Sequence, residues 1–309
     1  VLGFASLAGC TTAGPGSGTA TATPTPGETG AVTPVPTTIP ATPTGPKMKI
    51  LLATTTSLYD TGLLEYLKPK FEQQYNAELL ITSQGTGKAI EVAKLGDCDI
   101  LAVHSPSQEV AYMEDGYGLN RRCFAYNYFI IVGPESDPAG VKGMTPEKAF
   151  TTIRTLGKAN TPGISFISRG DNSGTHSAEK NVWKSAGYDY TKDIQNSGNW
   201  YVEAGRGMGE TLQMASEKGA YTLTDEGTYL AYKGDLNLVP VVSEGTILLN
   251  VYSVITVYND KTSLPKIEMA NNFVDFMISP QTQADIDNYG KEKYGKSLFS
   301  AMNGNCSRF

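Results

Sequence analysis

Short apolar runs that alternate with helix-spaced segments predict an α/β protein built as two lobes with two chain crossings. Three observations carry this. Strand-like and helix-like segments alternate from Met48 onward, two blocks of such units are joined by long strand candidates near Tyr126 and Tyr252, and neither a periodic repeat nor a coiled-coil heptad interrupts them. The alternation also predicts mostly parallel sheets.

Each element follows from its own residues. "MKILLATTTS", starting at Met48, is a short apolar run that ends in hydroxyls, a buried strand entering a loop. Leu63, Leu64, Leu67 and Phe71 give helical spacing across 61–75. "AELLIT" is the next strand, 88–95 a helix, and "CDILAVH" a strand. Ser105 and Pro106 supply an N-cap and a first helical residue for a helix reaching about Asp115. "FAYNYFIIVGP" is the longest strand candidate, and Thr145-Pro146 opens another helix. "ISFIS" is a strand that runs into "SRGDNSGTH" (Ser168 to His176), and a helix follows over 173–186 with Val182 and Trp183 on its inner face. Then come a helix over 207–218, the strand "AYTLT", a helix over 225–232, and the strands "LNLVPVV" and "VYSVITV". Helices over 265–278 and 280–289 close the series.

The chain has 309 residues and a formal net charge of −6. That length suffices for one large or two medium domains with a real core. The acidic balance gives no support for nucleic-acid binding, which needs a basic face to displace counterions. No stretch approaches the roughly 18–20 apolar residues that span a bilayer. The start, VLGFASLAGC, is apolar and ends in small residues before Cys10. Leu7-Ala8-Gly9-Cys10 resembles the lipobox of prokaryotic lipoproteins, in which the chain is cut before the cysteine and the cysteine carries lipid. The tail of an ordinary signal segment is the alternative. Residues 11–46 are about one third Thr and about one fifth Pro, a composition expected to stay disordered and extended as a linker. Cys98, Cys123 and Cys306 are too widely and irregularly spaced for a zinc site. Outside the cell one pair would form a disulfide and leave one thiol over; three buried or free thiols is an equal alternative.

Three strand-to-helix junctions are rich in hydroxyls and glycine: Thr54 to Ser57, Ser83 to Gly87, and Ser168 to Thr175. A looser fourth is Gly205-Arg206-Gly207-Met208-Gly209. In open α/β sheets such junctions lie at the carboxyl ends of strands, where ligands bind. Helix N-termini there offer unpaired N–H groups, hydroxyls add donors, glycine lets the backbone approach, and Arg169 adds a forked positive charge. Helix capping alone explains any one of them; three together, one with an Arg, point to an anion site. Other chemistries fit less well. "TSQGTGK" lacks the Gly at Thr82 and the hydroxyl at Ala89 that a P-loop needs. Ser173 and His176 lack an oxyanion signature, and His104 and His176 lie outside any nucleophile–base set. His176 and Glu179 are only two ligands, too few for a metal. The tripeptide Arg169-Gly170-Asp171 follows a buried strand, where an adhesion receptor does not reach.

"ATTTSLYDTGLL", "QGTGKAIE", "GDCDILAVHSP", "YNYFIIVGPESDPAG", "SRGDNSGTH", "MGETLQMASEKGAYTLTDEGTYLA" and "MANNFVDFMISPQTQADI" resemble, in this order, the tungstate-binding proteins of ABC importers. The likeness covers nearly all of Met48 to about Phe299. It implies a two-lobed periplasmic-binding-protein type II fold with a two-strand hinge, lobe I being 47–126 with 251–309 and lobe II being 127–250. It implies that the lobes close on one tetrahedral oxyanion, contacted by Thr55, Thr56, Ser57, Gly85, Thr86, Arg169, Ser173, Gly174 and Thr175. The implied function is extracytoplasmic capture of tungstate, or alternatively molybdate, by a non-enzymatic monomer. It would have no cofactor, a membrane link only through lipid at Cys10, and an ABC permease as partner. Ser105 stands where the family usually has Asp, Cys123 where it usually has Pro, and the tail after Phe299 has no counterpart. Tungstate carries no proton at neutral pH, so a pocket of donors suits it. Asp171, the one carboxylate in the motif, is therefore expected to face Arg169 or a helix N-terminus, and His176 to serve packing or a bond behind the ligand.

Overall fold

The computed structural model describes residues 45–260 and 262–307. Cys10 and 11–44 of the expected linker lie outside them. Strand β1 (Met48–Thr55) leads to helices α1 (Thr56–Asp60) and α2 (Leu63–Tyr75), followed by β2 (Ala77–Gln84), α3 (Thr86–Leu95), β3 (Ile100–Val103) and α4 (Pro106–Glu114). The long β4 (Gly118–Gly133) leads to α5 (Pro146–Lys158), β5 (Phe166–Ser168), α6 (Gly174–Ser185), β6 (Tyr201–Glu203) and α7 (Met208–Lys218). The chain returns through β7 (Thr222–Asp225), α8 (Glu226–Tyr232), β8 (Val239–Val242) and β9 (Leu249–Val257). It ends with α9 (Leu264–Ile278), α10 (Pro280–Asn288), α11 (Lys291–Tyr294) and β10 (Ser300–Gly304). No helix among the described residues is long and apolar enough to cross a membrane.

Strands β4 and β9 shape the molecule. The main sheet has the order β10-β4-β9-β3-β1-β2. The first part of β4 pairs with β9 and β10, and its last part, Phe129 to Gly133, pairs with β7 and β8. One strand thus belongs to both lobes. The cores separate accordingly. Ile50, Leu67, Phe71, Phe124, Tyr252 and Phe273 pack in one cluster, and Phe129, Phe150, Phe166, Trp183, Trp200 and Tyr221 in another. Close aromatic pairs tie the second together, such as Phe150 and Trp183 at 4.4 Å between ring centres.

Three expectations need correction. The sheets are not mostly parallel. β1 runs parallel to β2 and β3, and β5 to β6, but every pair made by β4 or β9 is antiparallel. The crossing strands carry the chain against the direction of the others and then make most of the pairings. The helix expected over 61–75 begins later, because Gly62 sits at φ 79°, a left-handed turn that ends α1 and starts α2. Ser105 occupies the N-cap of α4, yet its hydroxyl makes no capping bond; the buried Glu109 carboxylate takes its N–H at 2.7 Å instead.

The polar tail "SAMNG" carries no strand pattern of its own. It becomes β10 by pairing with β4 and through a disulfide between Cys123 and Cys306, while Cys98 is a free, buried thiol. Gln283 helps, accepting from Asn303 N at 2.7 Å and donating to Phe124 O at 2.9 Å. The bridge closes a loop with a sequence separation of 183. A loop of that size restricts the unfolded chain strongly, typically by about 2–4 kcal/mol. Cys306→Ala should therefore melt several degrees below the wild type under oxidising conditions, and the gap should vanish with reductant. Equal melting temperatures without reductant would mean that the bridge adds nothing to stability.

Candidate functional site

The hydroxyl-rich junctions end β1, β2 and β5, and the fold brings them together. Gly85 lies so close to the Ser168–His176 loop that a Cβ there would sit 3.1 Å from Asp171 Oδ2. Gly87 N donates to Asn172 O at 3.3 Å. Gly174, the first residue of α6, lies against His104, where a Cβ would be 2.7 Å from the ring. The fourth junction joins them, since Met208 N donates to Thr56 Oγ1 at 3.4 Å. All the expected contact residues therefore lie on loops that touch.

Their side chains divide into committed and uncommitted groups. Thr55 Oγ1 caps α1 by accepting from Leu58 N, and Ser173 Oγ caps α6 by accepting from His176 N. Arg169 is 1 % exposed. Its Nη2 donates to Asp171 Oδ2 at 2.5 Å and its Nε to Arg206 O at 3.2 Å. Asp171 Oδ1 accepts from Ser173 N at 3.1 Å, so this carboxylate faces both Arg169 and a helix N-terminus, as expected. Arg169 Nη1, Thr86 Oγ1 and Thr175 Oγ1 are buried without a hydrogen-bond partner. Each such group carries a desolvation cost of about 1–3 kcal/mol until an acceptor meets it. Gln84 Nε2 is a fourth, next to Gly85. Sequence reasoning passed over Gln84 because an amide at a strand end is unremarkable until its burial is known.

The structure also overturns one reading of the histidines. Ser57 Oγ lies 2.8 Å from His104 Nε2, and His104 Nδ1 lies 2.8 Å from Asn250 Oδ1. His104 thus does belong to a line of nucleophile, base and orienting group, which sequence separations of 47 and 146 concealed. That line is a poor catalyst. Burial pushes the His104 ring down to about 4, too weak a base to take a serine proton at neutral pH, and the Asn250 amide has no charge with which to steady an imidazolium.

Beneath the motif, His176 Nδ1 accepts from Asn172 N at 3.0 Å and its Nε2 meets Tyr190 OH at 2.9 Å. The ring holds Asn172 at φ 58°, the left-handed turn that aims the loop. Burial keeps His176 neutral, pushed down to about 4. Glu179 is buried one turn further on, taking Ser168 Oγ, Trp183 Nε1 and Tyr201 OH at 2.5, 3.1 and 2.6 Å.

Burial lifts the Glu179 carboxyl from an ordinary 4.5 to about 7, against the three hydrogen bonds that lower it. A carboxyl raised in this way contributes its full stability below 4.5 and loses it as the pH climbs through 7. Glu179→Gln keeps an oxygen for Trp183 and Tyr201 and cannot ionise. The variant should gain on the wild type between pH 5 and 7.5, by on the order of 3 kcal/mol. Chemical denaturation across that range measures it, and a gap that stays constant with pH would remove Glu179 as the titrating group.

Comparison with known proteins agrees with this architecture. The PBP superfamily domain matches residues 17–281. A putative ABC transporter anion-binding protein of Haloferax volcanii is 44% identical over 260 residues, 82% of this chain and 72% of that one. The tungstate-binding protein TupA of Peptoclostridium acidaminophilum is 43% identical over 254 residues, covering 82% and 86%. The crystal structure of the tungstate ABC transporter from Geobacter sulfurreducens matches with a TM-score of 0.68 at 42% identity, covering 78% of this chain and 98% of that one. Two lobes, two crossing strands and converging donor loops are thus found in a chain that belongs to the PBP superfamily and, within it, to the TupA family.

Proposed function

We propose that this chain captures tungstate between its lobes, outside the cytoplasm, and delivers it to an ABC permease. One observation carries the reading: Arg169 Nη1, Thr86 Oγ1 and Thr175 Oγ1 are buried donors without acceptors, on loops that touch. A tetrahedral dianion offers acceptors on every oxygen and a charge to oppose Arg169. Hydrogen phosphate would also need an acceptor for its proton, and Asp171 has both oxygens engaged within the motif. Molybdate has nearly the same shape and is the alternative; the names of the relatives favour tungstate. The weakly basic His104 supports a binding protein over an enzyme.

In this reading residues 47–126 with 251–309 form one lobe, 127–250 the other, and β4 and β9 are the hinge. Thr55, Thr56, Ser57, Gly85 and Thr86 would hold the anion from the first lobe, and Arg169, Ser173, Gly174 and Thr175 from the second. A hydrogen bond to a charged group is worth roughly 1.5–3 kcal/mol, so Arg169→Ala should weaken tungstate binding about tenfold to a few hundredfold. Thr175→Val and Thr86→Val should weaken it less, each losing one neutral donor. Calorimetric titration with tungstate, molybdate, sulfate and phosphate measures this, with thermal melts as a folding check and small-angle scattering to follow closure. Wild-type affinity in a folded Arg169→Ala protein would dismiss the site, and an unchanged radius of gyration on confirmed binding would dismiss the hinge.

Lipid attachment at Cys10 remains part of the proposal, supported by Leu7-Ala8-Gly9-Cys10 and the Thr/Pro tract that follows. A full-length precursor should fractionate with membranes and its Cys10→Ser variant should not. Identical soluble behaviour of the two would rule the anchor out.

A further inference from the structure

The hydrogen-bond chain through His104 has a fixed direction. Two backbone groups set it. Thr228 N can only donate, and it donates to Asp225 Oδ1 at 2.9 Å; Leu298 O can only accept, and it lies 3.4 Å from Asn127 Nδ2. Asn127 Nδ2 also reaches Asp225 Oδ1, so the nitrogen of this amide faces Asp225 and its oxygen faces Asn250. Asn250 must then present its nitrogen to Asn127 Oδ1 and Tyr252 OH, both at 2.8 Å, and its oxygen to His104. His104 therefore carries its hydrogen on Nδ1, and in the neutral ring Nε2 is a bare acceptor. The only hydrogen between Nε2 and Ser57 is the one on the serine hydroxyl.

The ring has no freedom to escape this arrangement. It is buried, stacked on Tyr252 with centres 4.8 Å apart, and pressed against Gly174 from the other lobe. A dianion beside Ser57 needs that serine as a donor. If Ser57 turned its hydrogen to the anion while Nε2 stayed bare, two lone pairs would face each other across 2.8 Å in a buried site. A proton on Nε2 resolves the conflict, since the ring then donates to Ser57 Oγ and Ser57 donates to the anion. We propose that anion capture draws one proton from solvent onto His104 Nε2, so that His104 positions Ser57 as a donor and makes binding proton-linked.

The charges that act on the ring are few. Arg169 opposes its protonation and Asp171 favours it, while Ser57, Asn250, Tyr252, Phe129 and Gly174, which pack against it, are uncharged. A bound dianion adds the negative charge that the ligand-free site lacks. His176, the other histidine of the site, is engaged differently: its Nδ1 accepts from Asn172 N, so a second proton there would break the turn that holds the motif.

The proposal rests on the tungstate reading of the same site, and the test separates the two. Calorimetric titration of the whole protein with tungstate, in buffers of different ionisation enthalpy at pH 6 and pH 8, counts the protons taken up. Uptake should approach one proton per anion at pH 6 and be smaller at pH 8, with affinity rising by up to about tenfold per pH unit as the pH falls. His104→Gln should bind about threefold to tenfold more weakly at pH 6 with no uptake. Nitrogen NMR of the ligand-free wild type should show the hydrogen on His104 Nδ1, a result that does not depend on any variant folding. Tungstate binding without proton uptake, uptake that survives in His104→Gln, or a ligand-free ring carrying its hydrogen on Nε2 would each overturn the proposal alone. A wild type that binds no tungstate would remove the functional reading together with it.

Discussion

A buried guanidinium with one nitrogen unpaired is the constraint around which the site is organised. Arg169 sits at the end of a strand with almost no exposure, where an isolated charge is expensive. Asp171 and the Arg206 carbonyl hold two of its nitrogens and leave Nη1 free. Asp171 is held in turn by the N-terminal amide of Ser173, Asn172 by His176, and Ser168 by Glu179. The local structure fixes the direction of one charge, and the neighbouring unpaired hydroxyls repeat the same demand for an acceptor.

The order of elements was legible because each helix and strand carried its own local pattern. The capped helices after Thr145 and Ser173 begin where their caps placed them. The donor loops were legible too, since runs of Thr, Ser and Gly between a strand and a helix have few other uses. What was hidden depended on partners far away in the chain. β10 exists because Cys306 finds Cys123, and β6 is only three residues long. The antiparallel character of the sheet follows from which strands β4 and β9 meet. The Ser57–His104–Asn250 line unites residues on a helix, a loop and a strand, and no spacing along the chain announces it.

The two crossing strands do more than connect. Asn127 on β4 and Asn250 on β9 are bonded to each other, and through them Asp225 is linked to His104 and Ser57. Thr228, one turn after Asp225, reaches back to the Ser57 carbonyl at 3.1 Å. The two crossing strands are thus also the strands through which these polar groups are aligned. A motion about them would strain a closed circuit of bonds, which favours a small number of discrete arrangements over a continuum.

At Gly85, Gly87 and Gly174 the loops of the site touch, and a single added carbon at each would come within 3.1 Å, 2.7 Å and 2.7 Å of the side chains of Asp171, Asn172 and His104. Bare backbone on one loop therefore meets a side chain on the other. The side chain can adjust by changing rotamer; the glycine facing it has no such slack. Each contact is thus a mould with one hard edge, against which only the opposing side chain can yield.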